Sequence, residues 1–158
     1  MWETIKRYAW RLLLPLAAGG AAALLTAGNR ELYDTLVRPP LAPPAVLFPV
    51  VWTVLYLLMG VGYVLVYQKR EEMPEQVKAA QKVFLASLAV NFFWSILFFN
   101  FRAFLVSFLW ILLLWGLILK TILDYRKISR PAAFLQIPYL LWVTFAAYLN
   151  GAIFFLNR

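Results

Sequence analysis

The chain has 158 residues, of which 64% are hydrophobic, 18% aromatic and only 14% charged, with a formal charge of +8. Soluble domains run at roughly 45–50% apolar and about 25% charged, so a water-soluble fold cannot hide this much apolar surface and the solvent is a bilayer. The absence of Cys and His excludes disulfides, thiolate chemistry, His-based triads and the commonest metal and haem ligands, and the basic residues form no continuous patch of the kind nucleic acid requires.

Five apolar runs can be drawn, at about 10–28, 45–67, 83–101, 103–123 and 132–156. A crossing needs roughly 20 apolar residues, so the expectation is an all-α membrane protein, a single domain of five transmembrane helices. The first run follows Lys6, Arg7 and Arg11, and its Ala-rich stretch also fits a cleavable leader. Its small residues (Ala17, Ala18, Gly19, Gly20 and Ala23) equally suit a retained helix, because they let neighbouring backbones approach in lipid.

Residues 29–44 form the longest connection, containing Arg30, Glu31, Tyr33, Asp34 and Arg38 and the prolines Pro39, Pro40, Pro43 and Pro44. Proline restricts the backbone to extended and turn conformations, so this loop is expected to be a stiff lid over a pocket. It leads into the second run, where Trp52, Tyr56, Met59 and Tyr63 fall on one helical face. Between the second and third runs lies QKREEMPEQVKAAQK, a solvated linker with Pro74 near a helix start.

In the third run, Asn91, Trp94, Ser95 and Phe98 share one face. An Asn in a membrane helix turns inward, so Asn91 is a candidate either for an interhelical hydrogen bond or for ligand contact. Asn100-Phe101-Arg102 reads as a tight turn into the fourth run, a structural or lipid-facing helix in which Trp110 and Trp115 are expected to pack. The last run starts at Pro131. Pro138 is expected to kink it beside Trp142, with Phe145, Ala146 and Leu149 near the same face and Asn150 close by.

Five crossings place the basic residues of the N-terminus, of the 69–82 connector and of the 120–130 connector on one side, and Arg30, Arg38, Arg102 and Arg158 on the other. Cytoplasmic loops carry the excess of Lys and Arg. The expected topology therefore has the N-terminus cytoplasmic and the proline-rich loop outside. With no organelle-type leader evident, the default host is a bacterial cytoplasmic membrane.

The segments YDTLVRPPLAPP, FPVVWTVLYLLMG, NFFWSILFF and PYLLWVTFAAYLN, in this order and on this layout, resemble the translocator protein or tryptophan-rich sensory protein family (TspO/MBR, peripheral-type benzodiazepine receptors). The resemblance implies a five-helix membrane protein that often dimerises. It also implies binding of porphyrins such as protoporphyrin IX and of isoquinoline or benzodiazepine-type compounds, with sterols in some members. Further implications are a link to stress and tetrapyrrole sensing and, in some relatives, light- and oxygen-dependent porphyrin breakdown. Carried over by residue, the ligand site comprises Tyr33, Arg38, Pro43, Pro44, Trp52, Asn91, Trp94, Phe98, Trp142, Phe145 and Ala146. Tyr56, from the aromatic face of the second run, completes the candidate set.

Two departures qualify this expectation. Leu41 stands where many relatives have Trp, and no basic residue follows Tyr148 until Arg158, too distant for the loose sterol pattern. Sterol recognition through that pattern is therefore not expected. The expected role is a receptor in which Trp52, Trp94 and Trp142 stack on a planar ligand and Tyr33 and Asn91 hydrogen-bond it, with Arg38 pairing a propionate. No obligatory cofactor is expected; a porphyrin would be bound as ligand. Trp52 and Trp142 are the candidates for any redox role, since no acid–base set exists. Transport of tetrapyrroles is the alternative, weakened by the lack of a repeat or of a charge deep in a run. A purely structural, partner-binding role is a third reading.

Overall fold

The computed structural model describes residues 1–158 and contains helices and no strands. Five long helices, α1 (Trp2–Thr26), α3 (Leu47–Tyr67), α4 (Pro74–Ser95), α5 (Phe104–Ile128) and α6 (Arg130–Leu156), are each long and apolar enough to cross a membrane. A short helix, α2 (Leu32–Thr35), lies in the loop after α1. The five-helix membrane fold expected from hydropathy is thus the observed one.

Boundaries differ where helices run past the apolar stretches. α1 begins eight residues earlier than the apolar run, and α4 starts at Pro74, because amphipathic and charged turns lower hydropathy without breaking a helix. α4 also ends differently, passing into a π-helical turn over Ile96–Asn100. The chain then reverses through Phe101 and Arg102, the latter at φ 52°, which is the tight turn expected there. Pro138 lies inside α6, which continues unbroken to Leu156. α5 and α6 are joined by Ser129 alone, whose hydroxyl accepts from the Ala132 N–H (3.4 Å) and caps α6.

Going round the bundle, α1 packs on α3, α3 on α6, α6 on α5 and α5 on α4, and α4 returns to α1. Lipid tails are as apolar as leucine, so close packing and interhelical hydrogen bonds hold such a ring together. The close packing is visible at Gly60, where a Cβ would meet the backbone carbonyl of Leu12 in α1. α1 is therefore an integral wall of the bundle.

The two ends of the ring are filled differently. Towards the basic end, Met59, Tyr63, Val66, Phe84, Ile118 and Tyr125 are all at most 2% exposed. Tyr63 stacks on Phe84 with centroids 4.8 Å apart, so this half is solid. The expected face of α3 is confirmed in that Tyr56, Met59 and Tyr63 all turn inward. Trp110 and Trp115 bind neighbouring helices, donating to the Val90 carbonyl and the Thr144 hydroxyl (both 2.8 Å). Towards the other end, the proline-rich loop covers a bundle that is hollow.

Candidate functional site

The hollow is a cavity of about 220 Å³ bounded by α1, α3, the end of α4 and α6, with the loop above it. Each wall follows from local sequence. On α1, Gly19, Ala22 and Ala23 form a wall without bulk, and the Tyr56 ring occupies the place a Gly19 side chain would take. On α3, Trp52 lies nearly parallel to Tyr56, with centroids 5.4 Å apart and planes at 25°, which presents a flat aromatic surface. Opposite them, Trp94 and Phe98 pack at 5.6 Å.

Ser95, Phe98 and Phe99, at i, i+3 and i+4, extend this second surface and all reach the cavity. The last two lie in the π-turn, a feature that recurs at functional sites. Trp94 is fixed by its indole N–H, which donates to Asn150 Oδ1 (3.0 Å), while Asn150 Nδ2 donates to the Phe104 carbonyl (2.9 Å). A single buried amide on α6 thus ties α4 to the start of α5 and sets the ring plane.

The lid is tied down at three points. The Tyr33 hydroxyl donates to the Pro43 carbonyl (2.8 Å), and the Tyr148 hydroxyl donates to the Pro40 carbonyl (2.9 Å). Asn157, just past α6, pairs both ways with Val37, accepting its N–H and donating to its carbonyl (each 2.9 Å). Between these ties Leu41 is 83% exposed at φ 69°, an uncommon conformation for a non-glycine residue. Tyr33 packs edge-on against Phe48 (5.1 Å). Burial raises its phenol above the ordinary value, and the neighbouring Arg38 opposes that rise.

Of the residues expected at the site, Tyr33, Trp52, Tyr56, Trp94, Phe98 and Ala146 line this cavity together. Others lie outside its lining. Asn91 is 2% exposed and donates to the Tyr139 hydroxyl (2.7 Å), so it makes the interhelical bond that was one of its two readings. Trp142 packs edge-on against Phe48 (5.8 Å) and beside Phe145, and its buried indole N–H has no protein partner. Arg38 lies 3.8 Å from Asp34 and over the Tyr33 ring. Pro43 acts through its carbonyl on Tyr33, and Pro44 is exposed. The space therefore opens beside Trp52 and Trp94, not beside Pro138 and Trp142.

Reading the sequence missed Arg30, Ser95, Asn150 as a lining residue and the small face of α1 in this role. The small residues were visible as a packing face, yet only the bundle shows that part of that face borders empty space.

A family model described as TspO/MBR family matches residues 11–156. The chain is 39% identical over 145 residues to tryptophan-rich protein TspO of Chlorobaculum tepidum, covering 91% of each chain. It is 35% identical over 118 residues to the translocator protein of Ovis aries, covering 75% of this chain and 70% of that one. With a tryptophan-rich sensory protein of Cereibacter sphaeroides it shares 33% identity over 144 residues, 89% of this chain and 88% of the relative.

Proposed function

The chain belongs to the TspO/MBR family of integral multi-pass membrane proteins, and from that premise we propose that it is a receptor for a planar apolar ligand of the porphyrin or isoquinoline kind. The observation that carries the reading is the paired aromatic walls. Trp52 on Tyr56 and Trp94 beside Phe98 flank one cavity whose third side is stripped to Gly and Ala. Flat rings stack on such surfaces, and each pair adds roughly 0.5–1.5 kcal/mol beyond area burial. The sensory name of one relative agrees with a binding role.

The cavity, about 220 Å³, is smaller than the roughly 300–1,000 Å³ of pockets enclosing drug-sized ligands. A porphyrin therefore enters by lifting the lid, whose ties are a few side-chain hydrogen bonds. Where light- and oxygen-dependent breakdown occurs, Trp52 and Trp94 are the indoles at the wall in reach of a bound ring, ahead of Trp142. We place the N-terminus on the cytoplasmic side of a bacterial membrane and the lid outside, on the charge asymmetry of the connectors, and expect a homodimer.

The test is a titration of the purified protein with protoporphyrin IX and with an isoquinoline ligand, read by tryptophan fluorescence and melting temperature. Saturable quenching with a rise in melting temperature is the expected result. No shift with either ligand overturns the reading.

A further inference from the structure

Hydrogen-bonding groups around the cavity divide into those already engaged and those left over. The Thr26 hydroxyl donates to the Ala22 carbonyl (2.9 Å), and Tyr33 donates to Pro43. Trp94 and both ends of the Asn150 amide are engaged with each other and with Phe104. What remains can donate. The Trp52 indole N–H and the Ser95 hydroxyl bind no protein group, and Arg30 uses one nitrogen on the Ala23 carbonyl (2.9 Å). A guanidinium has five N–H donors and no acceptor, so most of its capacity is unspent.

Arg30 is also the one charged residue in the cavity lining. Neither acid of its own loop neutralises it, since Asp34 faces Arg38 and Glu31 is in no ion pair. Its bond to Ala23 holds the side chain back along the last turns of α1, at the mouth of the hollow. The 3₁₀ turn over Ala27–Asn29 that carries it there is fixed from the other side, because Asn29 donates to Asn100 (2.9 Å) and Asn100 donates to the Leu25 carbonyl (3.1 Å). An apolar, aromatic-walled hollow with spare donors and one uncompensated cation at its rim is complementary to a flat ligand bearing an acid.

We infer that Arg30 is the specificity-determining residue of the cavity, selecting planar ligands that carry a carboxylate over their neutral counterparts. The inference rests on the receptor reading above and adds the ligand's charge and orientation. The carboxylate lies at the lid end against Arg30, and the apolar ring plane lies between Trp52 and Trp94. Arg38, already beside Asp34 and over Tyr33, has no part in the selection.

The experiment compares protoporphyrin IX with its uncharged dimethyl ester, using the full chain in phosphatidylcholine nanodiscs. The comparison is made for the native protein, Arg30→Gln and Arg38→Gln. Arg30→Gln removes the charge and keeps a polar side chain, and melting temperatures confirm folding. A charge-assisted contact at this exposed rim is screened by solvent, so the native protein should bind the acid about tenfold tighter than the ester. Arg30→Gln should bind both with the ester's affinity. Equal binding of acid and ester by the native protein overturns the inference and leaves the receptor reading standing. So does an equal loss for both ligands in Arg30→Gln, or loss of discrimination in Arg38→Gln alone. Failure of both ligands to bind the native protein overturns the two together.

Discussion

Replacing Gly60 by Ala tests whether α1 is a wall of the bundle. A Cβ on Gly60 would sit 2.9 Å from the Leu12 carbonyl carbon and 3.2 Å from its Cα, with the carbonyl oxygen nearer still. All three are backbone atoms, so no rotamer change relieves the clash and α1 must move away from α3. Overpacking of this kind costs about 1–3 kcal/mol, against a helix-propensity gain from Gly to Ala of up to about 1 kcal/mol. Gly20 provides the control, because nothing lies within 4 Å of its added Cβ, so the propensity gain stands alone there. For chains of this size each kcal/mol moves the melting temperature by about 2–4 °C. Gly60→Ala should therefore melt several degrees below Gly20→Ala in detergent. It should also weaken any cavity ligand, since α1 supplies Gly19, Ala22, Ala23 and Thr26 to the lining. Equal melting temperatures for the two variants would refute the close α1–α3 contact and, with it, the α1 wall.

Other consequences can be checked separately. Asn150→Leu removes the acceptor for the Trp94 indole; leaving a buried donor unpaired costs about 1–3 kcal/mol, seen as a lower melting temperature and a shifted Trp94 emission. Trp52→Phe should weaken ligand-induced quenching and affinity, whereas Trp142→Phe should leave affinity near the native value, because Trp142 packs on Phe48 outside the lining; the reverse order in a binding titration would contradict the placement. Asn157→Ala frees Val37 and with it one tie of the lid, so ligand association and dissociation rates should rise together in stopped-flow measurements while stability changes by less than about 1.5 kcal/mol.

Much of the architecture was legible in the sequence because hydropathy reports length and apolarity, which are what a bilayer demands of a helix. The α3 face was legible for a related reason: Tyr56, Met59 and Tyr63 recur at helical spacing, and the bundle buries all three. Helix ends were less so, since Trp2–Arg11 and Pro74–Lys82 carry charges that interrupt an apolar run without interrupting the hydrogen-bond ladder. The π-turn at Ile96–Asn100 leaves no mark in the mostly apolar run SILFFNF, whereas Ser95, Phe98 and Phe99, which reach the hollow, keep ordinary helical spacing.

The site was legible in part. Trp52, Trp94 and Phe98 sit where helical spacing and the family resemblance place them, but Trp142 beside Pro138 looked as much like a wall as they did. Trp142 packs instead edge-on against Phe48 of α3, a contact nearly a hundred residues away in the chain. Arg30 and Arg38 are both loop arginines, and only the short α2 and the 3₁₀ turn before it decide that Arg30 is the one in the cavity lining. Asn150 was seen as close to the right face, but its partners lie in α4 and α5 and no local pattern names them.

The most direct measurement is protoporphyrin IX binding to the native protein beside Ala146→Phe, a variant that puts a ring into the hollow from a buried lining position on α6. Helical content and melting temperature would be monitored in the same samples. Saturable quenching of the native protein, abolished in the folded variant, is the predicted result. Unchanged affinity in a folded Ala146→Phe would show that the ligand binds elsewhere and would contradict the assignment of this cavity.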